Sequence, residues 1–482
     1  MSKSDIISIY DKSPKIAVLE STFAARQKSQ MTGLVGSSLS FVAHSLFKKS
    51  ELPFLILFSN KEEAAYYLND LEQLINAEDV LFYPSSYRRP YQIEETDNAN
   101  VLLRAEVLNR INSRKKPAII VSYAEAIFEK VVTRKELEKN TLKLSVEDKL
   151  SIDFINETLF EYNFKRVDFV TEPGEFSVRG GIIDVFSFSN DNPYRIEFFG
   201  NEIDSIRSFD VETQLSIEKL KKISIIPNVE NKLLQENRES FLDYINEKTV
   251  LVIQNTELLG QQLDKLFDKA NEAFEKLSKD IQHAPPEELF LNQKQFLKRA
   301  LDFSVIELHA NAVFKTDKKV EFHIQPQPSF NKQFDLLLNN LSENHFNGYK
   351  NYLCCSNENQ ASRFHDIFED IDEANHESIR KQYKTMVLPL FEGFIDEENQ
   401  IACYTDHQIF ERYHKFSIKN GYSKKQTITL KELTSLSVGD YVTHIDHGIG
   451  KFGGLQKIQV EGKTQEAIKL VYADNDIVYV SI

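Results

Sequence analysis

Residues 169–210 read FVTEPGEFSVRGGIIDVFSFSNDNPYRIEFFGNEIDSIRSFD and carry the strongest strand signal in the chain. Residues 194–199 alternate, with one face formed by Tyr194, Ile196 and Phe198 and the other by Arg195, Glu197 and Phe199. If the first face is buried, Phe199 is an exposed ring among charges, which is typical of protein-binding hot spots. A sheet packed on both faces would bury Phe199 instead. The alternation alone allows both interpretations.

The runs EPGEFSVRGGIIDVF and YRIEFFGNEIDSIRSFD resemble a domain shared by the excinuclease protein UvrB and the transcription-repair coupling factors. In both families this domain docks the excinuclease protein UvrA. The resemblance implies that Arg179, Arg195 and Phe199 lie on the docking surface. The two guanidiniums suit planar, bidentate recognition of carboxylates, and the ring supplies apolar area. Gly180 and Gly181 would permit a tight turn beside Arg179.

Composition sets outer limits on the kind of protein. The 482 residues are enough for roughly three to five domains. A net charge of −15 argues against a broad phosphate-gripping surface, which needs excess Lys and Arg. The three cysteines, Cys354, Cys355 and Cys403, have no metal-type spacing and predict a reduced, cytoplasmic protein. No secretion signal or run of 18 apolar residues is present, so we expect no membrane partner.

The first 129 residues alternate between helical and strand patterns. An apolar stripe predicts a helix over residues 38–49, and an all-apolar strand follows at residues 54–58. Ser59 and Asn60 then cap a helix that runs to about residue 75, and further strands are predicted at residues 80–83 and 118–121. Short apolar strands with helices between them predict a parallel sheet that is covered on both sides.

The loop before the first of these helices resembles a phosphate-binding loop that has lost its charge; a chance match is the alternative, since glycine-serine loops often precede helices. A working loop reads G-x-x-x-x-G-K-[ST], with glycines that cradle phosphate and a lysine that neutralises it. Here the pattern positions hold Gly33, Gly36, Ser38, Leu39 and Ser40. The second motif glycine is replaced by Ser38 and the lysine by Leu39, which lies on the apolar stripe. We therefore expect no nucleotide binding, which favours the coupling factors over the excinuclease protein UvrB.

Residues 83–95 read YPSSYRRPYQIEE and place Arg88 and Arg89 among three tyrosines. Arginine interleaved with aromatic rings is typical of single-strand stacking sites. Two arginines make a small electrostatic footprint, so the predominant interpretation is a surface loop. DNA contact by this pair stays an alternative.

The remaining pattern organises the chain into domains. Strand-and-turn signals fill residues 130–227, and strand–helix alternation then returns with a strand at 250–253 and a helix at 256–278. We therefore place the docking domain as an insertion in the first domain. Residues 325–328, QPQP, predict a linker before a small α/β domain at 331–412. Residues 413–430 are basic and irregular and predict a second linker.

The last segment reads VGDYVTHIDHGIGKFGGLQKIQVEGKTQEAIKLVYADNDIVYVSI, and its closely spaced glycines suit a small closed barrel. It resembles the RNA-polymerase-binding module of the coupling factors. The resemblance implies that Ile458, with the neighbouring Leu455 and Lys457, contacts the polymerase β subunit; a core role for Ile458 is the alternative. His444, Asp446 and His447 lack further ligands at a recognisable spacing, so we predict no metal site.

These patterns predict a multi-domain α/β protein. The parts are a degenerate P-loop, helicase-like α/β domain (1–129 and 228–325), an inserted β-rich α+β docking domain (130–227), a small α/β domain (331–412), a linker (413–430) and a small SH3/Tudor-like β-barrel (431–482). The chain stops inside the apolar run 477–482, so we expect the motor half of a coupling factor to be missing. We expect no catalytic residue, cofactor or metal in this chain, and ATP and Mg²⁺ only for motor domains.

The implied partners are the excinuclease protein UvrA and the RNA polymerase β subunit, with DNA held mainly by the motor. The competing hypothesis is a UvrB-like ATPase of the excinuclease that binds damaged DNA.

Overall fold

The computed structural model describes residues 3–86, 91, 98–113, 116–188, 190, 192–211, 213–226, 238–277, 284–371, 376–412, 439–444, 448–460, 463–472 and 476–481. For several strand positions near the end of the chain, including 455 and 457–460, this description covers the backbone alone. The chain divides into two compact units, Met1–Tyr422 and Ser423–Ile482.

The first unit begins with helices and strands in alternation. In order these are α1 (Lys3–Asp11), α2 (Pro14–Glu20), β1 (Lys28–Thr32), α3 (Ser38–Ser50), β2 (Phe54–Phe58), α4 (Lys61–Leu74), a 3-10 turn (Ala77–Asp79), β3 (Val80–Tyr83), α5 (Asn98–Ser113), β4 (Ile119–Tyr123) and α6 (Ala124–Phe128). The helix predicted at 38–49 and the strand at 54–58 are confirmed. Asn60 caps α4, because its side chain accepts the N–H of Glu63.

A β-rich segment follows. Its elements are β5 (Val131–Val132), α7 (Arg134–Lys139), β6 (Leu142–Ser145), α8 (Ile152–Glu161), β7 (Lys165–Arg166), β8 (Glu175–Arg179), β9 (Ile182–Val185), β10 (Tyr194–Phe199), β11 (Glu202–Phe209), β12 (Ser216–Leu220) and β13 (Lys222–Ile225). Six strands form one sheet in the order β12-β11-β10-β9-β8-β7. Its inner face packs with α8, since Ile155 and Leu159 of α8 share a core with Phe176, Ile183 and Ile196.

The chain then returns to the first sheet. The next elements are β14 (Arg238–Glu239), α9 (Phe241–Tyr244), β15 (Val250–Ile253), α10 (Thr256–Glu275), α11 (Pro286–Leu289), α12 (Gln293–Ala300), β16 (Ser304–Glu307) and β17 (Lys318–Glu321). The resulting seven-stranded sheet has the order β17-β1-β16-β15-β2-β4-β3. Every pairing within it is parallel. Strands from before and after the β-rich segment therefore share one sheet, as an insertion requires.

A smaller mixed sheet ends the first unit. Its elements are β18 (Ile324–Pro326), α13 (Phe334–Phe346), β19 (Lys350–Cys355), α14 (Glu358–Ile371), α15 (His376–Arg380), β20 (Tyr383–Val387), β21 (Phe394–Asp396), β22 (Ile401–Thr405) and α16 (Asp406–Ile409), and the strand order is β18-β21-β22-β19-β20. The linker expected at 325–328 starts as edge strand β18, which corrects that prediction. Proline is tolerated there because an edge strand has ladder positions that need no donor.

The second unit contains four antiparallel strands in chain order. They are β23 (Tyr441–His444), β24 (Gly448–Val460), β25 (Lys463–Val471) and β26 (Ile477–Ser481). The register of β24 shifts between Phe452 and Leu455, so Gly453 and Gly454 form a bulge. Among the described pairings, none joins β23 to β26, so the closure of the expected barrel stays a prediction.

Candidate protein-docking site and degenerate nucleotide loop

Strand β10 presents Phe199 to solvent. Tyr194 and Ile196 are buried in the core of the inserted domain, whereas the side chain of Phe199 is 85% exposed. The strand is hydrogen-bonded to β9 along one edge and to β11 along the other, so β10 is an interior strand of the sheet. The interpretation in which both faces are packed is therefore wrong for this strand. An 85% exposed ring is a large apolar group held on a regular element.

A buried carboxylate organises both motif arginines. Asp184 on β9 lies directly opposite Arg195 on β10 and is only 1% exposed. Its Oδ1 accepts from Nε of Arg195 at 2.7 Å, and its Oδ2 accepts from Nη2 at 2.9 Å. Oδ2 also accepts from Nη2 of Arg179, two strands away from Arg195. The hydrogen bonds to Asp184 raise the pKa of Arg195 above its ordinary value.

This geometry changes the predicted roles of the two guanidiniums. The bidentate edge of Arg195 is occupied by Asp184, and the Arg195 side chain is 18% exposed. Arg179 gives Asp184 a single nitrogen and is 40% exposed. Bidentate recognition of a partner carboxylate by Arg195 would require breaking an internal pair. Arg179 is the more accessible cation of the two.

A small apolar cluster packs against Arg195. Val170, Phe186 and Phe209 form a buried cluster on this side of the sheet, separate from the main core of the domain. The guanidinium carbon of Arg195 lies 4.4 Å from the ring centroid of Phe209. A guanidinium over an aromatic face is attracted by the ring quadrupole, which holds its plane in place.

A second ion pair lies between the arginine row and Phe199. Glu197 on β10 pairs with Arg207 on β11 and accepts a 2.6 Å hydrogen bond from Ser205. The Ser205 hydrogen bond, with help from Arg207, lowers the pKa of Glu197. The outer face of this sheet is therefore a row of internally paired charges that ends in an exposed ring. We call the surface formed by Arg179, Arg195 and Phe199 the docking face.

The degenerate phosphate loop lies between β1 and α3. Leu39 is 5% exposed and belongs to the main core, as its place on the apolar stripe predicts. Ser38 and Ser40 are also buried. The Ser38 hydroxyl donates to the carbonyl of Val35 at 2.6 Å and accepts from its N–H at 3.0 Å. Ser38, which stands at the position of the motif glycine, therefore supplies hydrogen-bond partners for the backbone N–H and carbonyl of Val35.

A distant segment covers this loop. The backbone N–H of Ser37 donates to the carbonyl of Glu392 at 3.1 Å, and the N–H of Glu392 donates to the Ser37 hydroxyl at 3.0 Å. A Cβ added at Gly36 would lie 2.8 Å from the carbonyl oxygen of Gly393. The loop between β20 and β21, residues 388–393, thus packs directly on the glycine-serine loop, and a peptide carbonyl accepts one of the loop amides. We call these residues the covering loop.

Helix α4 holds the covering loop from the other side. Oδ1 of Asp70 accepts from the N–H of Phe391 at 2.7 Å, and the ring of Phe391 stacks on Tyr66 with centroids 3.8 Å apart. Asn69 donates to the carbonyl of Pro389 at 3.2 Å. Asp70 is buried, and desolvation raises its pKa to about 7. Sequence reasoning missed this contact because its partners are about 320 positions apart.

Arg88 and Arg89 lie outside the described residues. The chain leading into their segment is anchored at Ser86, whose hydroxyl donates to Glu129 at 2.7 Å. Glu129 also pairs with Arg104, and both side chains are buried. DNA contact by Arg88 and Arg89 therefore stays a prediction.

The implied polymerase contacts lie on β24. The side chains of Leu455, Lys457 and Ile458 fall outside the described part of the chain, while their backbone is strand. Ile458 pairs with Gln465 and follows Gln456 by one strand repeat. Gln456 is exposed and accepts a 3.1 Å hydrogen bond from the Tyr479 hydroxyl.

The described residues contain no metal-ligating cluster and no helix that could span a membrane. Asp446 and His447, for which no metal site was predicted, are not among them, and no group of three metal-ligating side chains occurs in the described ranges. None of the described helices could span a lipid bilayer.

Two family models match the chain. The UvrB interaction domain matches residues 142–230, which include the docking face. The CarD-like/TRCF RID domain matches residues 436–482, which include β23 to β26. This chain is similar to the N-terminal region of transcription-repair-coupling factors, with a module like that of UvrB. The two matched segments are the ones that carried the resemblance in the sequence.

Full-length relatives support the same similarity. The transcription-repair-coupling factor of Bacillus subtilis is 24% identical over 94% of this chain and 44% of its own length. That of Borreliella burgdorferi is 23% identical over 94% of this chain and 42% of its own length. That of Staphylococcus epidermidis is 22% identical over 100% of this chain and 46% of its own length. The chain spans less than half the length of these relatives.

Proposed function

We propose that this chain is a non-catalytic scaffold of transcription-coupled nucleotide excision repair. It recruits the excinuclease protein UvrA through the docking face and binds the RNA polymerase β subunit through the sheet formed by β23 to β26. The observation that carries the proposal is the exposed Phe199, fixed on a strand beside Arg179 and Arg195 within the matched UvrB interaction domain. Exposed aromatics next to arginine are the usual centre of a protein-binding hot spot.

The polymerase contact rests on the second family match and on strand register. Residues 436–482 match a domain that is named for the coupling factors. Position 458 is one strand repeat from the exposed Gln456, which favours the contact role of Ile458 over its core role. Leu455 and Lys457, the other two residues of the proposed contact, alternate to the opposite face of β24, so the register supports the contact role for Ile458 alone.

The proposal for the whole protein follows the relatives. The intact protein would be a cytoplasmic, ATP-driven DNA translocase that displaces stalled RNA polymerase, and its motor domains would bind ATP, Mg²⁺ and most of the DNA. This chain would supply adhesion and no catalysis. The buried Leu39 and the covering loop favour this scaffold over a UvrB-like ATPase.

The test is a binding titration of purified UvrA with this chain and its variants. Phe199→Ala should weaken binding by about 2 kcal/mol or more, and Arg179→Ala, which removes the more accessible guanidinium, by about 1–3 kcal/mol. Phe346→Ala is the matched control, since that ring is similarly exposed but lies at the end of α13. Equal affinity of Phe199→Ala and the control would refute the docking role.

Separate experiments test the proposed polymerase contact and the competing ATPase hypothesis. Ile458→Arg should abolish capture of the polymerase β subunit while binding to UvrA stays unchanged. A titration with ATP and Mg²⁺ should give no saturable binding to this chain. Saturable binding would favour the ATPase.

A further inference from the structure

Phe169 extends the docking face into the loop before β8. Its side chain is 61% exposed, although the sequence motif gives it no role. The guanidinium carbon of Arg179 lies 5.2 Å from its ring centroid. Phe169, Arg179 and Asp184 are therefore connected by two contacts. The buried carboxylate of Asp184 accepts a hydrogen bond from Arg179, and the guanidinium of Arg179 makes a cation–π contact with the exposed ring of Phe169.

The backbone that presents Phe169 is fixed on both sides of the residue. The N–H of Val167 donates to the carbonyl of Phe176 at 2.9 Å. The hydroxyl of Ser177 donates to the carbonyl of Asp168 at 3.0 Å. Val170 is buried in the cluster below Arg195. An exposed ring on a fixed backbone loses little conformational entropy on binding, which is the property of a binding anchor.

The chemistry of these three residues specifies their ligand. Arg179 gives one nitrogen to Asp184 and keeps further N–H donors beside an apolar ring. A carboxylate flanked by an apolar side chain satisfies both features at once. We propose that Phe169 is a further contact residue for UvrA, that it receives such a carboxylate-and-apolar feature together with Arg179, and that Asp184 is the positioning residue for both arginines. This inference rests on the proposed function of the docking face.

The experiment measures the affinity of purified UvrA for the full chain carrying Phe169→Ala. We expect about 30-fold weaker binding, the smallest loss that defines a hot-spot residue. Phe154→Ala is the matched control, because Phe154 is an exposed ring of the same domain on helix α8. The control should bind like the unmodified chain.

The outcomes separate this inference from the function on which it rests. If Phe199→Ala weakens binding and Phe169→Ala does not, the assignment of Phe169 is overturned and the docking face stands. If neither variant weakens binding, the docking proposal itself fails. If Phe154→Ala weakens binding as much as Phe169→Ala does, the contact is not specific to this face, and the assignment of Phe169 is overturned.

Asp184 is tested by a double-mutant cycle on the same affinity. Asp184→Asn should weaken binding in the unmodified chain, and should cost less in the Arg179→Ala background because one of its two arginines is already gone. Additive losses would overturn the positioning role. Thermal unfolding of each variant identifies a folding defect, and Phe169→Ala tests the contact role without altering Asp184.

Discussion

The docking face and the degenerate nucleotide loop differ in one decisive respect. Both combine glycine turns with polar side chains, and each resembles a known binding motif. The docking face keeps its ring, Phe199, in solvent, whereas the nucleotide loop lies under residues from a sheet about 350 positions further along the chain. The same kind of local sequence is therefore open in one place and closed in the other. Solvent exposure, more than local motif, distinguishes the proposed binding surface from the covered loop.

The largest expected difference concerns two phenylalanines. Phe394 follows the covering loop directly, is fully buried and packs edge-on against Phe41. Phe394→Ala should lower the free energy of unfolding by about 3–5 kcal/mol. Phe199→Ala should change it by less than about 0.5 kcal/mol, since the ring is exposed. Urea titrations of the two variants measure both values, and similar losses would contradict the comparison.

Two glycines with similar backbone angles isolate the effect of the covering loop. Gly36 has φ of 55° and Gly200 has φ of 63°, both in the left-handed region. A Cβ at Gly36 would meet the carbonyl oxygen of Gly393, while no described atom lies within 4 Å of a Cβ at Gly200. Gly36→Ala should cost about 2–4 kcal/mol, because a clash with backbone adds to the left-handed strain.

The matched variant Gly200→Ala should cost about 1 kcal/mol, from the left-handed strain alone. Urea unfolding of the pair measures the difference. Equal costs would mean that the covering loop yields easily and does not close the nucleotide loop firmly.

The pH dependence of stability tests the burial of Asp70 beneath the covering loop. The folded-state pKa is about 7, against an ordinary value of 3.8, because the carboxyl is buried. Between these values the folded protein keeps a proton that the unfolded chain has released, so stability falls as pH rises. The contribution of Asp70 should fall by up to about 1.4 kcal/mol per pH unit across this window.

Asp70→Asn removes that titration. We expect the stability difference between the variant and the unmodified chain to shift in favour of the variant as pH rises from about 4 to 7. Urea unfolding at several pH values measures it. Parallel pH profiles would show that Asp70 does not titrate in this window.

Local pattern recovered much of the fold. The apolar stripe of α3 and the all-apolar β2 were predicted because helical and strand periods leave direct marks on sequence. The burial of Leu39 followed from the same stripe. The linker prediction for residues 325–328 was wrong for residues 325 and 326, because a proline-rich run is consistent with either a linker or an edge strand, and only the pairing with β21 decides.

The candidate site was recovered less completely. The alternation of β10 placed Arg195 and Phe199 on one face, but it could not decide whether that face is open. Asp184 stood within the quoted motif without a role, because the register that sets it opposite Arg195 is a property of the folded sheet. Phe169 was missed for a similar reason, since its contact with Arg179 runs from a loop to a strand.

Residue order alone was enough to establish the parallel-sheet character of the first domain, the alternation of β10 and the replacement of the phosphate-loop lysine by Leu39. Each of these depends on residues close together in the chain, where the period of a helix or strand constrains the pattern. The folded chain was needed to show that Asp184 holds two arginines, that Phe169 adjoins them and that residues 388–393 cover the nucleotide loop. These contacts join residues that are distant in sequence or lie on different strands, and they depend on strand register and sheet packing, which a local pattern does not specify.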